Sequence, residues 1–172
     1  GGICVHCKPC NITTGWAGAG AYSDGKLSLS HEVGGTIADY IGIEKTDQMI
    51  DYTDQIYLKF GADPHIHGAV ISPAMRTIQA KSIEANLRLV HCPVRHLGTE
   101  KAQQLYTALY DYIAEKGVTI NFKSPVTDFI FDGDTVKGVQ VNNDNFYADK
   151  VVVAVGREGS DWLLQKCEKH KI

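Results

Sequence analysis

Apolar positions along the chain follow two periods. Up to residue 116 they recur at steps of three and four, and beyond it they alternate or cluster as strands require. Thr46-Asp47 predicts a helix start, with Met49, Ile50, Thr53, Ile56, Tyr57 and Phe60 on one face and Gly61 as the stop. Ser72-Pro73 predicts a second start, a cap followed by a first-turn proline, and that helix runs through Met75, Ile78 and Ile83. Leu87–Val94 reads as a strand that Pro93 weakens or places at an edge. From Thr99 the clearest helix sets Ala102, Leu105, Tyr106, Leu109, Tyr112 and Ile113 on one face and ends at Gly117.

The remainder reads as β structure. Val118–Phe122 and Val126–Phe131 predict two strands, Asp132-Gly133-Asp134 a turn, and Val136–Val141 the returning partner. Asn142–Asn145 predicts another turn, and Phe146–Val155 a long strand with a continuous apolar end. Buried parallel strands carry such unbroken valine runs, so Val118–Phe122 and the last strand predict an incomplete parallel sheet beside an antiparallel hairpin. The expected organisation is three regions. Residues 1–35 form a glycine-rich loop with a cysteine cluster, 36–116 a helical region, and 117–172 a β-rich end. Eight of the 17 glycines fall in the first region, a density that brings backbone close to something.

Composition narrows the classes. A length of 172 residues suits one domain, and 44% apolar with 22% charged residues excludes a disordered or low-complexity chain. The net charge is −3 and no Lys or Arg adjoins another, which argues against a nucleic-acid partner. The longest apolar run, Val151–Val155, is too short to predict a membrane span. Five cysteines, an odd number, behind a Gly1-Gly2 start with no signal peptide point to a reducing, cytoplasmic setting. The missing initiator Met suggests a piece of a longer chain.

Cys4, Cys7 and Cys10 stand at two successive Cys-x-x-Cys steps. That spacing supplies three ligands of a bacterial Fe–S pattern, but position 14, where the fourth belongs, is Thr14. Three thiolates with His6 or an upstream cysteine would instead suit zinc. A redox dithiol beside Lys8, or exposed thiols alone, fit the same residues. His65 and His67 alternate and share a side on an extended segment, either as two metal ligands or as a loop feature. His96 follows Arg95 between a strand end and a helix start, where a helix N-terminus meets an anion; a capping histidine would look the same.

Two stretches carry a family resemblance. Gly117-Val118-Thr119-Ile120, Val126, Gly133, Val136-Lys137-Gly138-Val139, Ala148-Asp149-Lys150 and Ala154-Val155-Gly156 resemble the later part of the FAD-binding domain in two-dinucleotide-binding-domain flavoproteins. Gly15-Trp16-Ala17-Gly18-Ala19-Gly20 and Ala21-Tyr22-Ser23-Asp24-Gly25-Lys26-Leu27 resemble a signature of bacterial FAD-dependent dehydrogenases. Arg95-His96-Leu97-Gly98-Thr99 resembles a second signature of that group.

The resemblance implies a mixed α/β fold, namely an incomplete flavoprotein FAD-binding sheet with a β-hairpin and an inserted helical substrate-side region. It implies cofactor contacts from Gly18, Gly20, Ser23, Asp24, Gly25 and Lys26, and from Val126, Ala154, Gly156 and Arg157. Small residues there let backbone N–H groups face a flavin or a pyrophosphate, and Lys26 and Arg157 offset anionic charge. His96 and Arg95 would act as the base near the carbon that loses hydride and the cation that positions a substrate acid. The partners implied are a small-molecule substrate and the remainder of the FAD-binding domain. No strand–GxGxxG–helix unit is present, so the main cofactor cradle lies outside this chain.

Overall fold

A computed structural model describes residues 3–11, 14–20 and 25–172. The described residues form a mixed α/β protein with five helices and two small antiparallel sheets. They divide into two units, residues 19–113 and residues 1–18 with 114–172. This division differs from the expected three regions because the end of the glycine-rich segment is tied by strand pairing into the helical part.

In the first unit β1 (Lys26–Ser28) pairs antiparallel with β2 (Val94–His96), setting Lys26 opposite His96 and Leu27 opposite Arg95. Strand β2 begins after Pro93 rather than at Leu87. Proline has no N–H for a ladder, but its carbonyl accepts the Leu29 N–H at 2.8 Å. His67 bridges Val94 through reciprocal bonds of 2.8 and 2.9 Å, fixing the 60–72 loop against β2.

Helix α1 (Ile37–Ile41) and α2 (Ile43–Lys59) are separated at Gly42, whose φ of +84° interrupts the helical backbone. Helix α2 therefore starts before Thr46. Thr46 is buried within it and donates its hydroxyl to the Gly42 carbonyl at 2.8 Å instead of capping the N-terminus. Gly61 closes this helix as expected, at φ +100°. Helix α3 (Pro73–Glu84) has the predicted cap, with the Ser72 hydroxyl accepting the Met75 N–H at 3.2 Å. Helix α4 (Thr99–Glu115) carries Ala102 and Leu105 into a core shared with Ala62 and Leu97, flanked by Tyr57, Phe60 and Tyr106. Burying a leucine of this kind contributes about 1.5–3 kcal/mol.

The second unit holds the meander β3 (Val126–Asp132), β4 (Thr135–Val141) and β5 (Asp144–Tyr147). Pairing of Asp132 with Thr135 and of Val141 with Asp144 leaves two-residue loops, the tight connections antiparallel strands favour. Gly138 of β4 carries no side chain because a Cβ there would sit on the Phe146 carbonyl of β5. Helix α5 (Ser160–His170), which the strand-like reading of the C-terminal region did not include, packs Trp162 against Phe129 with ring centroids 5.5 Å apart.

The expected parallel sheet is not formed. Residues 118–122 contain no strand, and β5 ends at Tyr147, before the valine run. A parallel strand needs a neighbour reached by a crossover, and the meander uses only antiparallel partners. The apolar residues meant for that sheet are left at the surface, among them Val118, Phe122, Val153 and Val155, with Val152 89% exposed. No helix among the described residues is long and apolar enough to cross a membrane.

Candidate functional site

The Gly25–Ser28 and Val94–Leu97 segments meet at the β1–β2 ladder. The Leu97 N–H donates to the Gly25 carbonyl at 2.6 Å, continuing the pairing of Lys26 with His96. Gly25 sits at φ +53°, and a Cβ on it would approach the Gly98 nitrogen and Leu97 Cβ to 3.3 Å. Glycine at this position therefore permits both the left-handed turn and the close passage of the second segment. Segments seventy positions apart are held edge to edge, with Lys26 and His96 side by side in register.

Arg95 takes a different place from the one expected of a substrate-positioning cation. It is 2% exposed, and its Nε and Nη2 donate to the two carboxylate oxygens of Asp54 at 2.5 and 2.6 Å. Its Nη1 donates to the Asp63 carbonyl at 2.5 Å. The Asp54 carboxylate beside it raises the affinity of the guanidinium for its proton. This fork-on-fork arrangement joins α2, β2 and the 60–72 loop, and it spends the guanidinium on structure. Arg95 thus fixes the backbone from which His96 projects.

His96 itself is exposed and lines an open cleft of about 460 Å³ with Asp63, His65, His67, Leu97, Gly98, Glu100 and Lys101. The His65 and His67 rings stand edge to face with centroids 4.5 Å apart, and those of His67 and His96 are 6.2 Å apart. The alternation of His65 and His67 along the loop puts them together here, beside a third imidazole from β2. Asp63 accepts the His65 N–H at 2.9 Å and lies 3.4 Å from the Lys101 ammonium. These two partners hold the Asp63 carboxyl below the usual carboxylate range.

The remaining sequence-derived residues are distributed as follows. Among the described residues, no heavy atom beyond the chain neighbours lies within 4 Å of where a Cβ on Gly18, Gly20 or Gly156 would project. Ser23 and Asp24 lie outside the described residues. Val126 is the first residue of β3, pairing with Val141, and Ala154 lies in the unpaired apolar segment. Arg157 is exposed in the turn before α5. Cys4 is exposed, Cys7 and Cys10 are half-buried, and none is in a disulfide. Cys7 Sγ accepts the Asn11 N–H at 3.4 Å. No group of three or more His, Cys, Asp or Glu side chains among the described residues is arranged to hold a metal ion.

Sequence reasoning passed over Asp54, Asp63, Glu100 and Lys101. For Asp54 a signal existed. It lies between Ile50 and Tyr57 on the apolar face of α2, and a carboxylate in such a stripe calls for a buried cation. For Lys101 and Glu100 none existed, because their place depends on the loop that β2 holds. In comparison with known proteins, no family model matches the chain and no solved structure matches it.

Proposed function

We propose that the chain is a segment of an FAD-dependent oxidoreductase, a dehydrogenase, that contributes flavin and substrate contacts. The observation that carries this reading is the meeting of the Gly25-Lys26 and Arg95–Gly98 segments. Both were singled out by the resemblance, and a shared site requires that such segments come together. Lys26, on β1 beside His96, would offset the charge of an anionic cofactor group. Bound FAD would supply a two-electron acceptor at its N5.

The chain's own share of the work is binding and orientation. Arg95 holds β2 in place through Asp54, Lys26 and His96 project from paired positions, and the cleft beside His96 receives the substrate. His96 is the proton-accepting group in this scheme, exposed to the cleft where a substrate carbon would lie. The partner of the chain is the remainder of the FAD-binding domain. Its strands would cover residues 118–122 and 151–155, whose apolar side chains reach solvent without forming strands.

The test is a visible spectrum of the full chain, purified without oxygen, incubated with FAD and desalted. Retained flavin bands that weaken in Lys26→Met are the expected result. A colourless wild-type protein overturns a flavin contact made by this chain.

A further inference from the structure

We propose that the cleft of His65, His67, His96 and Lys101 is a receptor for the carboxylate of a small organic acid, and that acid binding is coupled to proton uptake by its imidazoles. This deepens the oxidoreductase reading, on which it rests for the acid's role as substrate. Three imidazoles from two separate elements converge here, with ring centroids 4.5 and 6.2 Å apart, and line one side of an open cleft of about 460 Å³ that also holds the Lys101 ammonium.

Charge explains the coupling. With the imidazoles neutral, the lining carries the positive charge of Lys101 against the negative charges of Asp63 and Glu100. Lys101 is partly committed to Asp63 at 3.4 Å, so the neutral cleft repels an acid. Protonating His65 and His67, with His96 left neutral as the base, reverses the balance. Adjacent imidazolium rings then repel each other, and an anion placed among them removes that repulsion. Each of proton and acid therefore favours the other, by reciprocal linkage.

Two further charged features among the described residues leave that sign as it is. Lys26 stands opposite His96 on β1 and adds a positive charge, while Arg95 and Asp54 neutralise each other behind the ladder. A carboxylate suits the donors better than a phosphate. The two carboxylates at the rim oppose a dianion more strongly than a monoanion.

The experiment titrates the full chain with benzoate at pH 6 and pH 8, by calorimetry in buffers of different ionisation enthalpy and by histidine ring resonances. Saturable binding at pH 6, weakened about tenfold or more at pH 8 and accompanied by proton uptake, is expected for a histidine-gated site. His67→Gln and Lys101→Met should each weaken it, while the His31→Gln control, which removes the Asp47 partner elsewhere, leaves it unchanged. Because His67 joins β2 through its backbone, an unaltered circular dichroism spectrum identifies a folded variant. Binding that is absent at pH 6, independent of pH, or equalled by uncharged benzamide overturns the proposal. Flavin retention is measured on the same preparation. Benzoate binding without flavin upholds the acid site and overturns the flavin contact of this chain; flavin retention without benzoate binding does the opposite.

Discussion

Asp54 and Asp128 organise charge in opposite ways in the two units. Asp54 meets a single buried partner, Arg95, in a bidentate pair closed off from water. Asp128, at the start of β3, gathers the half-buried Lys166 and His170 and the exposed Lys169 from the last turns of α5. The first arrangement is dry and geometrically exact in its demands; the second is wet, redundant and adjustable. Burial makes a charge pair expensive to break on one side, whereas solvent screening makes each surface partner replaceable.

The largest effect should follow from Arg95→Met. It leaves the Asp54 carboxylate buried without its partner and should cost about 3–5 kcal/mol in urea unfolding followed by far-ultraviolet circular dichroism. The double change with Asp54→Leu should recover most of that loss. Failure to recover would mean that the Arg95 bond to the Asp63 carbonyl dominates. A smaller effect is expected from Gly25→Ala. A side chain at φ +53° and the 3.3 Å approach to Gly98 and Leu97 should together cost about 1–2 kcal/mol by the same unfolding measurement.

The smallest effect belongs to Asp128→Asn, about 1 kcal/mol and reduced further by salt, as screened surface pairs require. Its pH dependence sharpens the contrast. Lys169, His170, the Phe129 N–H and Lys166 hold the Asp128 carboxyl well below its usual range, against the opposing effect of burial. A carboxyl lowered in the folded state adds stability above its unfolded value. That share begins to disappear as pH falls below about 4 and is gone once the folded group is protonated. Unfolding free energies of wild type and Asp128→Asn should therefore converge on acidification.

What was legible in the sequence divides along the line between local and distant causes. The Ser72-Pro73 start, the Gly61 stop and the β3–β4 hairpin depend on residues within a few positions, and each formed as read. The start of α2 and the position of β2 shifted because Gly42 and Pro93 acted through backbone geometry that the apolar pattern does not encode. Helix α5 was legible in principle, since Trp162, Leu163, Lys166, Cys167 and His170 recur at helical steps after Ser160. The parallel strands failed for another reason: valine content marks suitability for a buried sheet but supplies no neighbouring strand. Of the candidate site, His96 and the His65–His67 pair were visible as single features. Their convergence was not, because it depends on the His67–Val94 bridge between distant segments.

The exposed run Val151–Val155 has a consequence for how the protein behaves among its own copies. It is short, rich in β-formers, free of proline and, among the described residues, without strand partners, the profile of a segment that templates cross-β stacking. Asp149-Lys150 on one side and Arg157-Glu158 on the other stand where gatekeeper charges discourage such stacking. Colloidal behaviour at high concentration is then set by four charged residues flanking five apolar ones.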